Sequence, residues 1–284
     1  MDVATAGLAQ DVASRLAAVR ERIAAAARRA GRDRAAVTVV AVSKTFLPEH
    51  IRPALAAGVT DLGENRVQEA EPKVAALPDH VCWHLVGHLQ RNKVNRALEI
   101  FSLIHSIDTV DLAQAVGTRA VRRGTPARVL LQVNLAHKET QSGFDADDLV
   151  AAAPRLCGLP GLTLEGLMCI APELDDPEET RPYFRRLAAL HARLRPRMVD
   201  AGHPWRHLSM GMTNDYPIAV EEGATLVRVG RAIFGARPQP GPAPVAAAPA
   251  ATGAAPARHH QAPGAIRYVA QGAAAAAAAR APGF

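Results

Sequence analysis

Residues 37–43 read VTVVAVS, and Lys44 follows them directly. A valine-dominated run of seven, without Gly or Pro, is too short for a buried helix. It reads as a strand covered on both faces, the signature of a parallel sheet. Comparable runs recur at residues 60–63, 83–87, 103–107, 128–134, 162–168, 207–210 and 225–229. A helical pattern follows each one. The first helix begins at Pro48 and closes at Gly58. The next covers 64–77, where Pro72 predicts a kink or two shorter pieces. Further helices cover 90–98, 109–123, 145–153, 178–198 and 215–222, with a last turn at 231–234. Eight strands each followed by a helix is the count for a single closed (β/α)8 TIM-type barrel. An open doubly wound sheet is the alternative, but it usually carries a Gly-rich first turn, and residues 43–48 contain none.

Outside these units lie an opening helix and a long tail. An extra N-terminal helix over 8–30 sets Val12, Leu16, Val19 and Ile23 on one face, with Gly31 as its stop. Such a helix can cover the barrel base within a single chain, and no long apolar stripe demands a partner, so a monomer is expected. Residues 238–284 are dominated by Ala, Pro and Gly, with an alanine run at 273–279. They hold too few large apolar side chains to build a core and read as a disordered tail. The working domain is therefore 1–237.

Composition narrows the function class. The 284 residues are 49% hydrophobic and 21% charged, ordinary for a globular protein. No uncharged apolar run reaches the roughly 18 residues of a membrane span. The N-terminus lacks a basic-then-apolar signal layout, so a cytoplasmic location is expected. The net charge of +6 includes Arg258, Arg267 and Arg280 of the tail, which has no acid, leaving +3 on residues 1–237. That weak excess, with only 4% aromatic residues, argues against a nucleic-acid partner. Cys82, Cys157 and Cys169 are odd in number and lack paired Cys/His spacing, so neither a disulfide nor a metal is expected. Arginine outnumbers lysine 29 to 4, and the lysines are Lys44, Lys73, Lys93 and Lys138.

In a (β/α) barrel the functional residues gather where strands end. Those ends are Lys44, Asn65, His88, Ser106 or Asp108, Asn134, Met168, Ser209 and Gly230. Lys44 follows the most apolar strand, where desolvation favours the neutral amine that attacks aldehydes. The alternative is a lysine that reaches solvent or pairs with an acid such as Glu64. After strand seven comes Ser209-Met-Gly211-Met-Thr213, and after strand eight Arg228-Val-Gly230-Arg231. Glycines let backbone N–H groups close around a phosphate, while Ser209 and Thr213 add hydroxyl donors. Tight turns that use glycine only for geometry are the competing explanation.

AVSKTF, DLGENRVQEA, WHLVGHLQRNKVN, IHSIDTVDLA, LEGLMCIAP, LSMGMTNDY and VRVGRAIFG occur in order from about residue 35 to 236. Together they resemble the pyridoxal-phosphate homeostasis protein family, itself similar to the barrel domain of alanine racemase without its second domain. The resemblance implies pyridoxal 5′-phosphate as cofactor, held as a Schiff base on Lys44. It implies that Ser209, Thr213 and the backbone around Gly211, Gly230 and Arg231 hold the phosphate. Arg228 would face the pyridine nitrogen, and Asn65, His88 and Met168 would line the pocket around the ring. Two departures stand out: many relatives carry lysine where Gln141 stands in HKETQSG (137–143), and some carry it where Phe46 stands. A function of that lysine would be lost here or borrowed by Lys138.

A guanidinium only donates, so a pyridine nitrogen opposite Arg228 stays unprotonated and is a poor electron sink. Racemases of the related fold supply a tyrosine base from an additional domain. Here Tyr183 and Tyr216 fall on helices and Tyr268 in the tail. The expectation is a binding protein that stores pyridoxal phosphate and delivers it to apo-enzymes, with no certain catalytic residue. A pyridoxal-phosphate-dependent racemase or lyase is the alternative. A class I aldolase, with Lys44 attacking a sugar phosphate directly, is a second.

Overall fold

The valine run forms β1 (Thr38–Val42), and β1 is where the sheet closes on itself. In the computed structural model, which describes residues 3–236, β1 pairs in parallel with both β2 (Asp61–Glu64) and β8 (Leu226–Val229). Between them run β3 (Cys82–Leu85), β4 (Leu103–Ile107), β5 (Ala127–Val133), β6 (Leu162–Cys169) and β7 (His207–Ser209) in sequence order. Every neighbouring pair is parallel, so the expected eight-stranded (β/α) barrel is the observed one. The tail expected over 238–284, and its boundary at 237, lie outside the described residues.

The outer layer consists of α1 (Val3–Arg29), α2 (Pro48–Ala56), α3 (Val67–Ala76), α4 (Val94–Ile100), α5 (Val110–Arg123), α6 (Ala146–Cys157), α7 (Arg181–Asp200), α8 (Tyr216–Glu221) and α9 (Arg231–Phe234). Local chemistry sets several of their ends. Thr109 caps α5, its hydroxyl accepting from Leu112 N–H at 3.1 Å, and left-handed Gly124 ends it. The α1 stripe of Val12, Leu16, Val19 and Ile23 is buried as its spacing implies. At about 1.5–3 kcal/mol for each large aliphatic side chain, it anchors α1 against α2, α8 and α9, beside the closing seam.

Pro48 opens α2 as expected, whereas the two shorter pieces considered at Pro72 do not occur. Pro72 does not divide its helix: α3 is one element that starts at Val67, three residues later than expected. A proline forfeits one ladder bond, and the buried faces on both sides hold the remaining turns. Pro154 likewise lies inside α6, which continues to Cys157 because Ala153 and Leu156 are buried.

The large core lies between barrel and helices, while a small apolar cluster of Val40, Val42, Val86, Leu103, Leu130, Met168 and Leu226 lies inside the barrel. The interior is not uniformly apolar. Toward the N-terminal ends of the strands, Glu165 accepts from Arg128 at 2.6 and 3.0 Å and from Arg206 at 3.3 Å, with His207 at 3.4 Å. Burial alone raises this carboxyl, but hydrogen bonds from His207 and Arg128 outweigh it and bring it down to about 2.

Candidate functional site

β1 ends in a tight turn over residues 43–46, closed by Phe46 N–H donating to the Ser43 carbonyl at 3.1 Å. Its third residue, Thr45, has φ +70, a conformation that a β-branched residue rarely adopts. A turn of this kind prefers glycine at that position, so Thr45 holds local strain of about 1–3 kcal/mol. The surroundings fix it. Ser43 Oγ donates to Glu64 Oε1 at 2.5 Å. Lys73 Nζ donates to the same oxygen at 2.6 Å and to the Ser43 carbonyl at 2.8 Å. Burial raises the Glu64 carboxyl and Lys73 opposes the rise. Glu64, the acid considered as a partner for Lys44, is thus engaged by Lys73. The buried pair clamps the residue immediately before Lys44.

Lys44 is half-buried on the wall of a cavity of about 910 Å3 at the C-terminal ends of the strands. Seven of the ten expected site residues line it: Lys44, Asn65, His88, Thr213, Arg228, Gly230 and Arg231. Gly87 belongs to the same wall, where a Cβ would meet the Asn65 carbonyl at 2.3 Å, so only glycine lets the segment after β3 approach the one after β2. Arg228 is buried with its guanidinium fixed: Nη1 donates to Ser209 Oγ at 2.7 Å and Nη2 to the Cys169 carbonyl at 2.7 Å.

Ser209, Gly211 and Met168 are not on the wall. Ser209 Oγ is held by Arg228 and His105 Nδ1, the latter at 2.9 Å, so its hydroxyl serves the guanidinium. Gly211 has φ +87, and a Cβ there would meet Ala219 Cβ at 2.5 Å and Tyr216 Cα at 2.9 Å. It lets the β7 loop pack on α8. Met168 is fully buried in the cluster inside the barrel.

Other contributors went unread in the sequence. Gln132 lines the cavity from β5, hidden inside the apolar run RVLLQVN. A polar chain crosses the barrel interior: Arg228, Ser209, His105, then His84 Nδ1 on His105 Nε2 at 2.9 Å, then Asp61 Oδ1 on His84 Nε2 at 2.9 Å. Burial, with the charges of His84 and Arg228, pushes His105 well below its ordinary range, so it is neutral, donating on one side and accepting on the other. The signal was present in alternating positions of WHLVG and LIHSI, which point both histidines inward. His88 Nδ1 lies 2.9 Å from Asp108 Oδ2, making a His–Asp pair on the cavity wall. Gln141 and Phe46, the two departures, also line the cavity, whereas Lys138 does not. Neither do Tyr183 in α7 and Tyr216 in α8.

The alanine racemase N-terminal domain family matches residues 14–238. The pyridoxal phosphate homeostasis protein of Aquifex aeolicus is 42% identical over 224 residues, covering 78% of this chain and 97% of the relative. The chain belongs to the pyridoxal phosphate homeostasis protein family. The family member of Escherichia coli K12 is 37% identical over 236 residues, covering 80% and 97% of the two chains. Among solved structures, PipY of Synechococcus elongatus with pyridoxal phosphate bound has a TM-score of 0.69 and 39% identity, covering 79% of this chain and all of that one. Among the described residues, no helix is long and apolar enough to cross a membrane.

Proposed function

We propose that this chain binds pyridoxal 5′-phosphate with Lys44 as its covalent anchor, and serves pyridoxal-phosphate homeostasis by holding the cofactor and handing it to apo-enzymes. The observation that carries this reading is one cavity whose wall combines Lys44, Arg228 and the Thr213 and Gly230–Arg231 loops. Bound, the cofactor supplies an aldehyde that a lysine amine captures as a Schiff base. The donor set suits it. Arg228 offers N–H groups and no acceptor, complementary to an unprotonated ring nitrogen. Thr213, Arg231 and the glycine backbone offer donors to a phosphate. Asn65 and His88 stand beside the remaining volume. Ser209, Gly211 and Met168 act from behind the wall, by holding Arg228, shaping the loop and filling the barrel. Family membership and the pyridoxal phosphate bound in PipY support the same reading.

Delivery is tested by mixing the loaded protein with an apo-enzyme that needs pyridoxal phosphate and following restored activity. The expected result is recovery faster than the cofactor's release into a trap. Recovery no faster than release sinks delivery while leaving binding intact.

The His88–Asp108 pair favours a second reading, a racemase or lyase, because it sets an oriented base on the cavity wall without the tyrosine of a second domain. Amino acids incubated with the loaded protein in deuterium oxide separate the two. Holding predicts no α-proton exchange at enzymatic turnover. Exchange that disappears in His88→Asn supports the second reading.

A further inference from the structure

Away from the cavity, three potential metal ligands converge at the N-terminal ends of β2 and β3. Asp61 is the first residue of β2, Cys82 the first of β3, and His84 lies two residues further along β3. One ligand atom from each lies within 4.8 Å of the other two. His84 Nε2 already sits 2.9 Å from Asp61 Oδ1. We propose that Asp61, Cys82 and His84 form a binding site for a divalent zinc-like cation, distinct from the cofactor cavity.

The donor set is one thiolate, one imidazole and one carboxylate, the mixture that suits zinc rather than the oxygen-preferring magnesium or calcium. Three protein ligands leave a fourth position for water. Tetrahedral zinc needs its ligand atoms about 3.3–3.7 Å apart. The pair at 2.9 Å must open slightly and the thiolate close in. Asp61 and Cys82 are both partly exposed, while His84 is buried and held by His105.

The surroundings also meet the requirement of a metal-bound histidine. Its second ring nitrogen needs a partner that sets the tautomer, and His84 Nδ1 has one in His105 Nε2 at 2.9 Å. Asp61 is oriented by Thr60, whose hydroxyl donates to Oδ2 at 2.6 Å and leaves Oδ1 toward His84. Arg128, whose charge is felt at Cys82 and Asp61, is itself occupied by Glu165. Thr60 and Asp61 also line a separate cavity of about 210 Å3, whose wall includes Arg20 and Arg34. Sequence spacing concealed the site because β2 and β3 bring residues 61 and 82 side by side in register.

The full chain, with pyridoxal phosphate loaded or stripped, is dialysed against limiting zinc, and bound metal per chain is measured for wild type, Cys82→Ser, Asp61→Asn and Cys157→Ser. The expectation is one tightly held zinc in wild type and Cys157→Ser, with affinity at least about tenfold weaker in Cys82→Ser and Asp61→Asn. Cadmium titration adds a direct reading: a thiolate-to-cadmium band in the ultraviolet that vanishes in Cys82→Ser and survives in Asp61→Asn. Cys82→Ser changes one atom, and circular dichroism verifies its fold. Zinc that stays bound with unchanged affinity in Cys82→Ser, or a wild type that holds none, overturns the proposal. Neither outcome depends on the cofactor reading.

Discussion

Near the N-terminal ends of the strands, Glu165 gathers Arg128, Arg206 and His207 around one carboxylate. At the opposite end, Lys44, Asn65, Thr213 and Arg231 face a cavity of about 910 Å3. The first group holds strands together. The second is arranged around space, the mark of a site built for a ligand. What joins them is the polar chain from Asp61 through His84, His105 and Ser209 to Arg228, which fixes the guanidinium on the cavity wall.

The contrast predicts that substitutions behind the cavity wall destabilise the fold while those on its open face leave stability alone. The largest effect is expected at Lys73, whose loss leaves Glu64 buried without its cation. Lys73→Met is expected to cost about 3–5 kcal/mol in urea unfolding. A cost below about 1 kcal/mol would show that the clamp behind Lys44 is dispensable. Gly211→Ala comes next. A Cβ 2.5 Å from Ala219 Cβ, at φ +87, is expected to cost about 1–3 kcal/mol and to loosen the β7 loop.

How legible all this was depended on the kind of signal. The barrel was visible because each strand is an apolar run bounded by a helix, and β4 and α9 match their expected bounds. Lys44, Thr213, Gly230 and Arg231 were visible because strand ends and glycine loops are local features. His84, His105, Gln132 and the Asp61–Cys82–His84 convergence were not, since each depends on which strands become neighbours. Ser209 was read as a phosphate donor because its hydroxyl type is clear in the sequence, whereas its engagement by Arg228 and His105 appears only in three dimensions.

Glu165 gives a pH test of the closed end. Its carboxyl falls from an ordinary value near 4.5 to about 2, so its contribution is present above the unfolded value and is lost as pH falls through that window. Wild type is expected to melt above Glu165→Gln at neutral pH, and the gap to close between about pH 4.5 and 2. A gap that persists at pH 2 contradicts the assignment. The smallest stability effect is expected at exposed Arg231, where Arg231→Ala stays within about 0.5 kcal/mol of wild type in urea yet weakens cofactor binding. Unchanged binding removes Arg231 from the phosphate site.

The scarcity of lysine makes the central claim directly measurable. Borohydride reduction of the protein loaded with pyridoxal phosphate, followed by peptide mass mapping, reports which of Lys44, Lys73, Lys93 and Lys138 carries the cofactor. The expected result is stoichiometric label on Lys44 and none on Lys44→Ala. Label on Lys73, Lys93 or Lys138 in its place, or full labelling of Lys44→Ala, contradicts it.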